Sequence, residues 1–206
     1  GLSMQTNQSD FSRVHGAVAK WVKASAATGK KWVVACDEPG DATHSLVTDA
    51  EDPAHDMARK NALWGTLMAG GAGVEWYFGY KHPESDLTCQ DWRSRENMWD
   101  QCRYAMEFFK DGDIPFWEMV NDNALSSNDD SYCFAKVGEV YVVYLKNGGE
   151  TELDLREAKG KFELSWFNPR NGQFTGKSQS VKGGGQVSIE SPPADSGQDW
   201  VALVRR

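Results

Sequence analysis

The sequence predicts a chain of two parts: an α/β region with parallel strands over residues 1–120 and a small antiparallel β-sandwich over residues 131–206. In the first region, short apolar runs alternate with stretches of helical periodicity, which is the pattern of βαβ units. Beyond residue 130 the helical period is lost, and short strands alternate with turn residues, as in a sandwich.

The first region contains three predicted strands, each followed by a predicted helix. Residues 2–5 form the end of a strand, and two nearly continuous apolar runs indicate strands that are buried on both faces. The runs are 31–38 and 73–79. Apolar residues recur at helical spacing over 11–27, 56–69 and 93–110. Three such units are too few to close a barrel by themselves.

A polar, turn-rich stretch at residues 121–130 leads into the second region. Several short strands follow, and Asn147-Gly148-Gly149 marks a hairpin turn between two of them. The predicted strands are 132–136, 139–145, 151–155, 161–167, a run near 180–190, and 200–205.

Composition excludes several classes of partner. The net charge of −8 over 206 residues argues against nucleic acid, whose affinity for proteins comes mostly from Lys and Arg contacts with phosphate. No run of about 18 apolar residues is present, so we expect no membrane span. The nine tryptophans are unusual. Most are expected to pack in cores, but a flat indole also stacks on the C–H face of a sugar ring.

Neither the cysteines nor the histidines form a metal-binding pattern. Cys36, Cys89, Cys102 and Cys133 contain no C-x-x-C pair, and the four histidines have no H-E-x-x-H spacing. We therefore expect no metal site and no cofactor. Cys89 and Cys102 are candidates for a disulfide, which the sequence leaves open.

The order of the segments resembles a known family. Four segments are similar to the last third of the barrel in clan A glycoside hydrolases, in particular bacterial secreted enzymes related to the apiosidases: LSMQTN, KWVVACDEPG, GTLMAGGAGVEWYFGY and RSRENMWDQCRYAMEFF. The tail, from SYCFAKVGEVYVVYL to WVALVRR, resembles the C-terminal β-domain of that group, which is labelled collagen-binding in some relatives. The resemblance implies the last three βα units of a (β/α)8 barrel followed by the sandwich. It also implies that the chain is a piece of a longer, secreted or periplasmic protein.

Glu38 is the candidate catalytic residue. It ends the strand 31–38 and shares a face with Val34 and Cys36. Retaining glycosidases use one carboxylate as nucleophile and a second as acid/base, and the resemblance places the nucleophile at this strand end. The alternative is a carboxylate that only caps the next turn. Because the family supplies its acid/base from an earlier strand, we expect this chain alone to be inactive on plant or microbial polysaccharide.

Four other residues are candidates for binding the sugar. Tyr77 shares a strand face with Glu75, while Tyr80 and Trp92 follow in the next loop and could form a stacking platform. Gln5, just after the first strand, could donate to a sugar hydroxyl. For the aromatic residues, packing is the alternative interpretation.

Two other functions remain open for the β-domain: it binds carbohydrate or collagen without catalysis, or it is purely structural. The first strand, residues 2–5, would be an unpaired sheet edge. Because such an edge can pair with a second chain, we expect a homodimer through it.

Overall fold

The computed structural model describes every residue, Gly1–Arg206, and divides the chain into two compact units, Gly1–Arg103 and Tyr104–Arg206. The boundary falls inside the helix Glu96–Asp111, so its first half belongs to the first unit and its second half to the second. None of the helices combines the length and the apolar character that crossing a bilayer requires.

The first unit contains a three-stranded parallel sheet in the order β1-β2-β3. Its strands are β1 (Leu2–Gln5), β2 (Val34–Glu38) and β3 (Gly73–Val74). Its helices are α1 (Val14–Ala27), a π-helical turn (Ala58–Leu63) that runs into α2 (Trp64–Met68), a 3₁₀ turn (Trp92–Arg95), and the start of α3 (Glu96–Asp111). The apolar stripe of α1, with Val14 and Val18 fully buried, packs toward α2, where the His15 ring lies 2.9 Å from the Gly65 carbonyl oxygen.

The predicted partial (β/α)8 barrel is wrong. The parallel sheet is small and open, and most strands of the chain belong to antiparallel sheets, so the molecule is β-rich rather than barrel-like. The run 73–79 pairs with β2 only at its start. Beyond Glu75 its backbone turns to other partners: the Tyr77 carbonyl accepts from Leu46 N, and Phe78 N donates to the Asp86 carboxylate. These bonds to loops replace the sheet ladder that a barrel strand would need.

The second unit is built on a six-stranded antiparallel sheet in the order β4-β5-β6-β11-β8-β9, with β7 and β10 forming a separate pair. The strands of the large sheet are β4 (Val120–Asn121), β5 (Ser131–Lys136), β6 (Val140–Leu145), β8 (Lys161–Asn168), β9 (Gln173–Lys182) and β11 (Trp200–Arg205). The pair consists of β7 (Thr151–Asp154) and β10 (Gln186–Ile189). Two 3₁₀ turns, Phe116–Glu118 and Asn123–Leu125, flank β4.

One continuous core fills the space between the two sheets. Strand alternation turns every second residue of β5, β6, β8 and β11 toward it. Its largest members are Trp166 and Trp200, whose rings meet edge to face at 6.3 Å. Leu153 and Ile189 close it from the two-stranded sheet. The opposite face of the large sheet carries a second apolar layer, where Phe108 from the end of α3 packs on Phe167.

Candidate functional site

The ends of β1 and β2 bring Gln5 and Glu38 together. The two strands are parallel, so their carboxyl ends meet at one edge of the sheet, and Gln5 is the register partner of Glu38. The Gln5 amide donates to Glu38 Oε2 over 2.5 Å, and both side chains are exposed. The Gln5 amide therefore contacts one of the two carboxylate oxygens of Glu38 at the end of the sheet.

The loop that follows Glu38 is a compact turn fixed by Asp41. Its carboxylate accepts from Thr43 N, Thr43 Oγ1 and His44 N at 2.7–2.8 Å. Desolvation has the largest single effect and raises the pKa of Asp41. The hydrogen bonds together outweigh it and lower this pKa to about 2. Gly40 adopts φ +94°, and a Cβ there would meet Ser45 and His44 at 2.8–3.0 Å. The turn therefore requires glycine at this position.

Tyr77 lies against this turn. Its hydroxyl donates to the Ala42 carbonyl over 3.0 Å, and its side chain is half-buried. Burial raises the pKa of Tyr77, and the negative charges of Asp86 and then Glu38 raise it further. Tyr77 is thus within electrostatic reach of Glu38. The neighbouring Trp76 points the other way and donates to the Cys102 sulfur over 3.3 Å.

Tyr80 and Trp92, the other two predicted sugar-binding residues, are exposed at 49% and 62%. Tyr80 lies close enough to Tyr77 to influence its pKa. Trp92 begins the 3₁₀ turn before α3, and its carbonyl accepts from Trp99 Nε1 over 2.8 Å. No hydrogen bond or ring contact joins either residue to Gln5 or Glu38. The structure therefore groups Gln5, Glu38 and Tyr77, with Tyr80 near Tyr77, and leaves Trp92 apart from them.

Sequence reasoning missed Arg95, which anchors the loop beside Tyr77. Its guanidinium is fully buried, lies 3.8 Å over the Phe78 ring, and donates through Nε to the Leu46 carbonyl over 2.8 Å. Burial lowers the pKa of Arg95, although neighbouring acidic groups act in the opposite direction. In the sequence it resembles an ordinary solvated charge at a helix start, so nothing local signals its burial.

All four cysteines are free, so Cys89 and Cys102 form no disulfide. Burial raises the pKa of Cys36 to about 11, as expected for a thiol in a sheet core. No group of three or more His, Cys, Asp or Glu side chains is arranged to hold a metal ion.

The second unit presents a separate aromatic site. Phe116 and Trp117, here called the aromatic pair, are 49% and 64% exposed, and their rings meet edge to face at 5.2 Å. Trp117 Nε1 donates to Glu118 Oε1 over 3.1 Å. Glu118 Oε2 in turn pairs with Lys136 Nζ at 2.8 Å, and Lys136 pairs with Glu139 at 2.7 Å. Trp117, the most exposed aromatic ring of this unit, is therefore held by one hydrogen bond at its edge and by one ring contact with Phe116.

Residues 114–205 match the model of a family described as "Putative collagen-binding domain of a collagenase". This match covers less than half of the chain and includes the aromatic pair. A comparison with curated protein sequences finds no match.

Two solved structures with a similar fold carry glycoside hydrolase in their titles. One, titled "Glycoside hydrolase", has a TM-score of 0.67 at 17% identity over 91% of this chain and 45% of its own. Another, a glycoside hydrolase family 5 protein from Bacteroides vulgatus ATCC 8482, has a TM-score of 0.67 at 15% identity over 98% of this chain and 50% of its own. The chain thus spans about half the length of these structures or less. At such identities the likeness shows the fold alone, and it does not extend to the apiosidase-like assignment.

Proposed function

We propose that this chain is a non-catalytic, carbohydrate-binding part of a glycoside hydrolase and that the second unit carries the binding site. The observation that carries the proposal is Trp117: a large flat ring that is 64% exposed and yet held in place. The Glu118 carboxylate fixes its indole nitrogen, and Phe116 supports its ring.

A fixed, exposed aromatic ring is suited to binding because little conformational entropy remains to be lost when a ligand arrives. The flat face of indole offers apolar area to the C–H face of a sugar, while its edge stays hydrogen-bonded to the protein.

The neighbouring charges supply the polar half of such a site. Glu118, Lys136 and Glu139 form a chain of ion pairs beside Trp117. Carboxylates accept and ammonium groups donate hydrogen bonds, so together they can satisfy sugar hydroxyls on both sides of the ring.

Carbohydrate fits this surface better than collagen does. A stable protein–protein interface buries about 1,200–2,000 Å² and depends on several clustered hot spots. The aromatic pair is far smaller, but it matches the size of a few sugar rings. The similarity to glycoside hydrolase structures supports the same choice.

Affinity electrophoresis of the whole chain tests the proposal. We expect at least one of four soluble polysaccharides (arabinoxylan, mixed-linkage β-glucan, galactomannan and pectin) to retard it, and Trp117→Ala to abolish the retardation. Trp21→Ala, which removes an exposed tryptophan of the first unit, is the matched control and should migrate like the parent. Unretarded migration in all four gels, with binding to triple-helical collagen instead, would replace carbohydrate by collagen as the ligand.

A second candidate function concerns the first unit. We propose that Glu38 is the nucleophile of a glycoside-hydrolase active site that the longer protein completes, because its exposed carboxylate is oriented by Gln5 at a strand end. Tyr77, Tyr80 and Trp92 would contribute to sugar binding there. We expect no hydrolysis by this chain alone, and we expect Glu38→Ala to abolish hydrolysis by the longer protein while Asp37→Ala leaves most of it. Undiminished turnover in the Glu38→Ala enzyme would exclude this role.

A further inference from the structure

We infer that the ligand of the second unit is an extended polysaccharide chain, which contacts a second exposed ring, Phe174, as well as Trp117. The inference rests on the proposed carbohydrate binding and adds the class of ligand and a second contact point.

Phe174 and Trp117 are the two exposed ends of one series of packed aromatic rings within the second unit. Phe174 stacks on Phe108 at 6.0 Å, and Phe108 meets Phe109 at 5.1 Å. The series continues from Phe109 to Phe116 at 6.2 Å and from Phe116 to Trp117 at 5.2 Å. Phe108 and Phe109 in the middle are buried, at 2% and 9% exposed, whereas Phe174 at one end is 51% exposed and Phe116 beside Trp117 is 49% exposed. The buried middle fixes the spacing of the two ends.

Phe174 is also held in place. It is the register partner of Phe167 across β8 and β9, and the two rings meet at 5.3 Å. Together with Phe108 they form a three-ring cluster, from which the outer face of Phe174 projects to solvent. As at Trp117, the ring is arranged before a ligand arrives.

Hydroxyl groups continue from Phe174 along the same face of the sheet. Ser165 lies two residues from Phe167 on β8 and therefore shares its face. Its hydroxyl lies 3.1 Å from that of Ser178 on β9. β9 is the last strand of the sheet and is exposed over nearly all of its length. A polymer lying against this edge would meet an aromatic ring followed by groups that exchange hydrogen bonds with sugar hydroxyls.

The separation of the two rings decides the ligand class. Trp117 lies just before β4 at one edge of the six-stranded sheet, and Phe174 lies on β9 at the opposite edge. Neighbouring strands are about 4.8 Å apart, so a mono- or disaccharide can cover only one of the two rings. A longer chain can bind both, and its second contact then forms intramolecularly, which strengthens binding without any new kind of interaction. Affinity should therefore increase with the length of the glycan.

The test uses isothermal titration calorimetry on the whole chain, with the polysaccharide that retards it most and the di- and trisaccharides obtained from that polysaccharide. We expect Phe174→Ala to weaken polymer binding on the order of tenfold or more and to leave binding of the short fragments unchanged. Trp117→Ala should abolish binding of both. Val137→Ala, which removes an exposed apolar residue outside the aromatic series, is the matched control and should bind like the parent.

Two results would overturn the inference, and they are distinguishable. If Phe174→Ala binds the polymer like the parent while Trp117→Ala does not, the second contact is wrong and the proposed function stands. If the parent binds none of the four polysaccharides, both the second contact and the proposed carbohydrate binding are wrong. Should Phe174→Ala fold poorly by circular dichroism, Phe174→Leu keeps apolar contact with Phe108 and Phe167 and removes only the flat ring. It should show the same selective loss of polymer binding.

Discussion

The second unit encloses one continuous apolar core between two antiparallel sheets, whereas the first packs three short strands and their helices beside loops that buried polar groups hold in place. In the second unit, the strands place alternate residues in the core, and no single contact defines the fold. In the first, individual hydrogen bonds determine the path of the chain after β2 and β3. Apolar burial is spread over many residues, but a buried polar contact depends on its few partners.

Three polar contacts illustrate the dependence in the first unit. Arg95 donates to the Leu46 carbonyl, and His55, which is buried, lies 2.7 Å from the Asp49 carboxylate. The other Asp49 oxygen accepts from Asn97 N at the start of α3. The contacts made by Arg95 and Asn97 join segments almost 50 residues apart in sequence, and the His55–Asp49 contact closes the loop between them. Removing one should therefore loosen a loop, whereas removing a core side chain of the second unit should weaken that unit as a whole.

The largest effect is expected from Trp166→Ala in the core of the second unit. Trp166 is 3% exposed and packs on Trp200, so its loss leaves a cavity that the surrounding strands cannot fill. We expect the free energy of unfolding to fall by about 3–5 kcal/mol, measured by urea denaturation followed by circular dichroism. Trp21→Ala, at an exposed position, should change it by no more than about 0.5 kcal/mol. Equal losses in the two variants would contradict the contrast between the units.

A smaller and more local effect is expected from Arg95→Met. Methionine keeps apolar contact with Phe78 but leaves the Leu46 carbonyl without its buried donor, at a cost of about 1–3 kcal/mol. Hydrogen exchange followed by mass spectrometry should show faster exchange around residues 41–50 and 77–95 and no change in β5, β6, β8 and β11. Faster exchange throughout the second unit would mean that the two units do not respond separately.

Asp41 allows a pH test of the same contrast. The pKa of Asp41 is about 2 in the folded chain, against 3.8 for an unperturbed carboxyl. A lowered folded pKa means that the contribution of this group to stability is fully present above about pH 4 and is lost as the pH falls through about 2. Asp41→Ala should therefore cost about 1 kcal/mol at neutral pH, and the difference from the parent should shrink toward pH 2. A difference that stays constant over this range would show that the Asp41 charge has no role.

Sequence patterns predicted what depends on local alternation. The strand 139–145 is observed as Val140–Leu145, because a run of valine and tyrosine favours a buried strand. The strand 161–167 is observed as Lys161–Asn168, because polar and apolar residues alternate over most of it. The meeting of Gln5 and Glu38 follows from parallel strands ending at one edge. The barrel expectation failed because periodicity identifies strands but does not reveal which groups their backbones bond to. The run 73–79 has the composition of a buried strand and still leaves the sheet after Val74.

The tryptophans show the same limit of sequence periodicity, which indicates strands but not tertiary contacts. Trp166 and Trp200 stand in alternating strands, and packing in the core was the expected role, which their burial confirms. Trp117 stands in a short segment between a helix and an edge strand, where no period distinguishes a buried ring from an exposed one. Its exposure depends on the end of α3 and on the Glu118–Lys136 pair, both of which are tertiary features.

The edges of the two sheets give the smallest test, one that leaves the fold intact. In the second unit β4 has only two residues, and β9 carries Lys177 and Lys182, which are features that discourage edge pairing. In the first, β1 is an open edge. Because Leu2 N and Thr6 N donate toward β2, alternation turns the Ser3 N–H to the open side.

We propose that two chains pair along the open edge of β1. Ser3→Pro, which removes that donor, should convert a dimer into a monomer in sedimentation velocity, whereas Ser3→Ala keeps the donor and should remain dimeric. A parent chain that stays monomeric at high concentration would contradict the proposed pairing. It would show that the β1 edge resists pairing with a second chain as well as the β9 edge does.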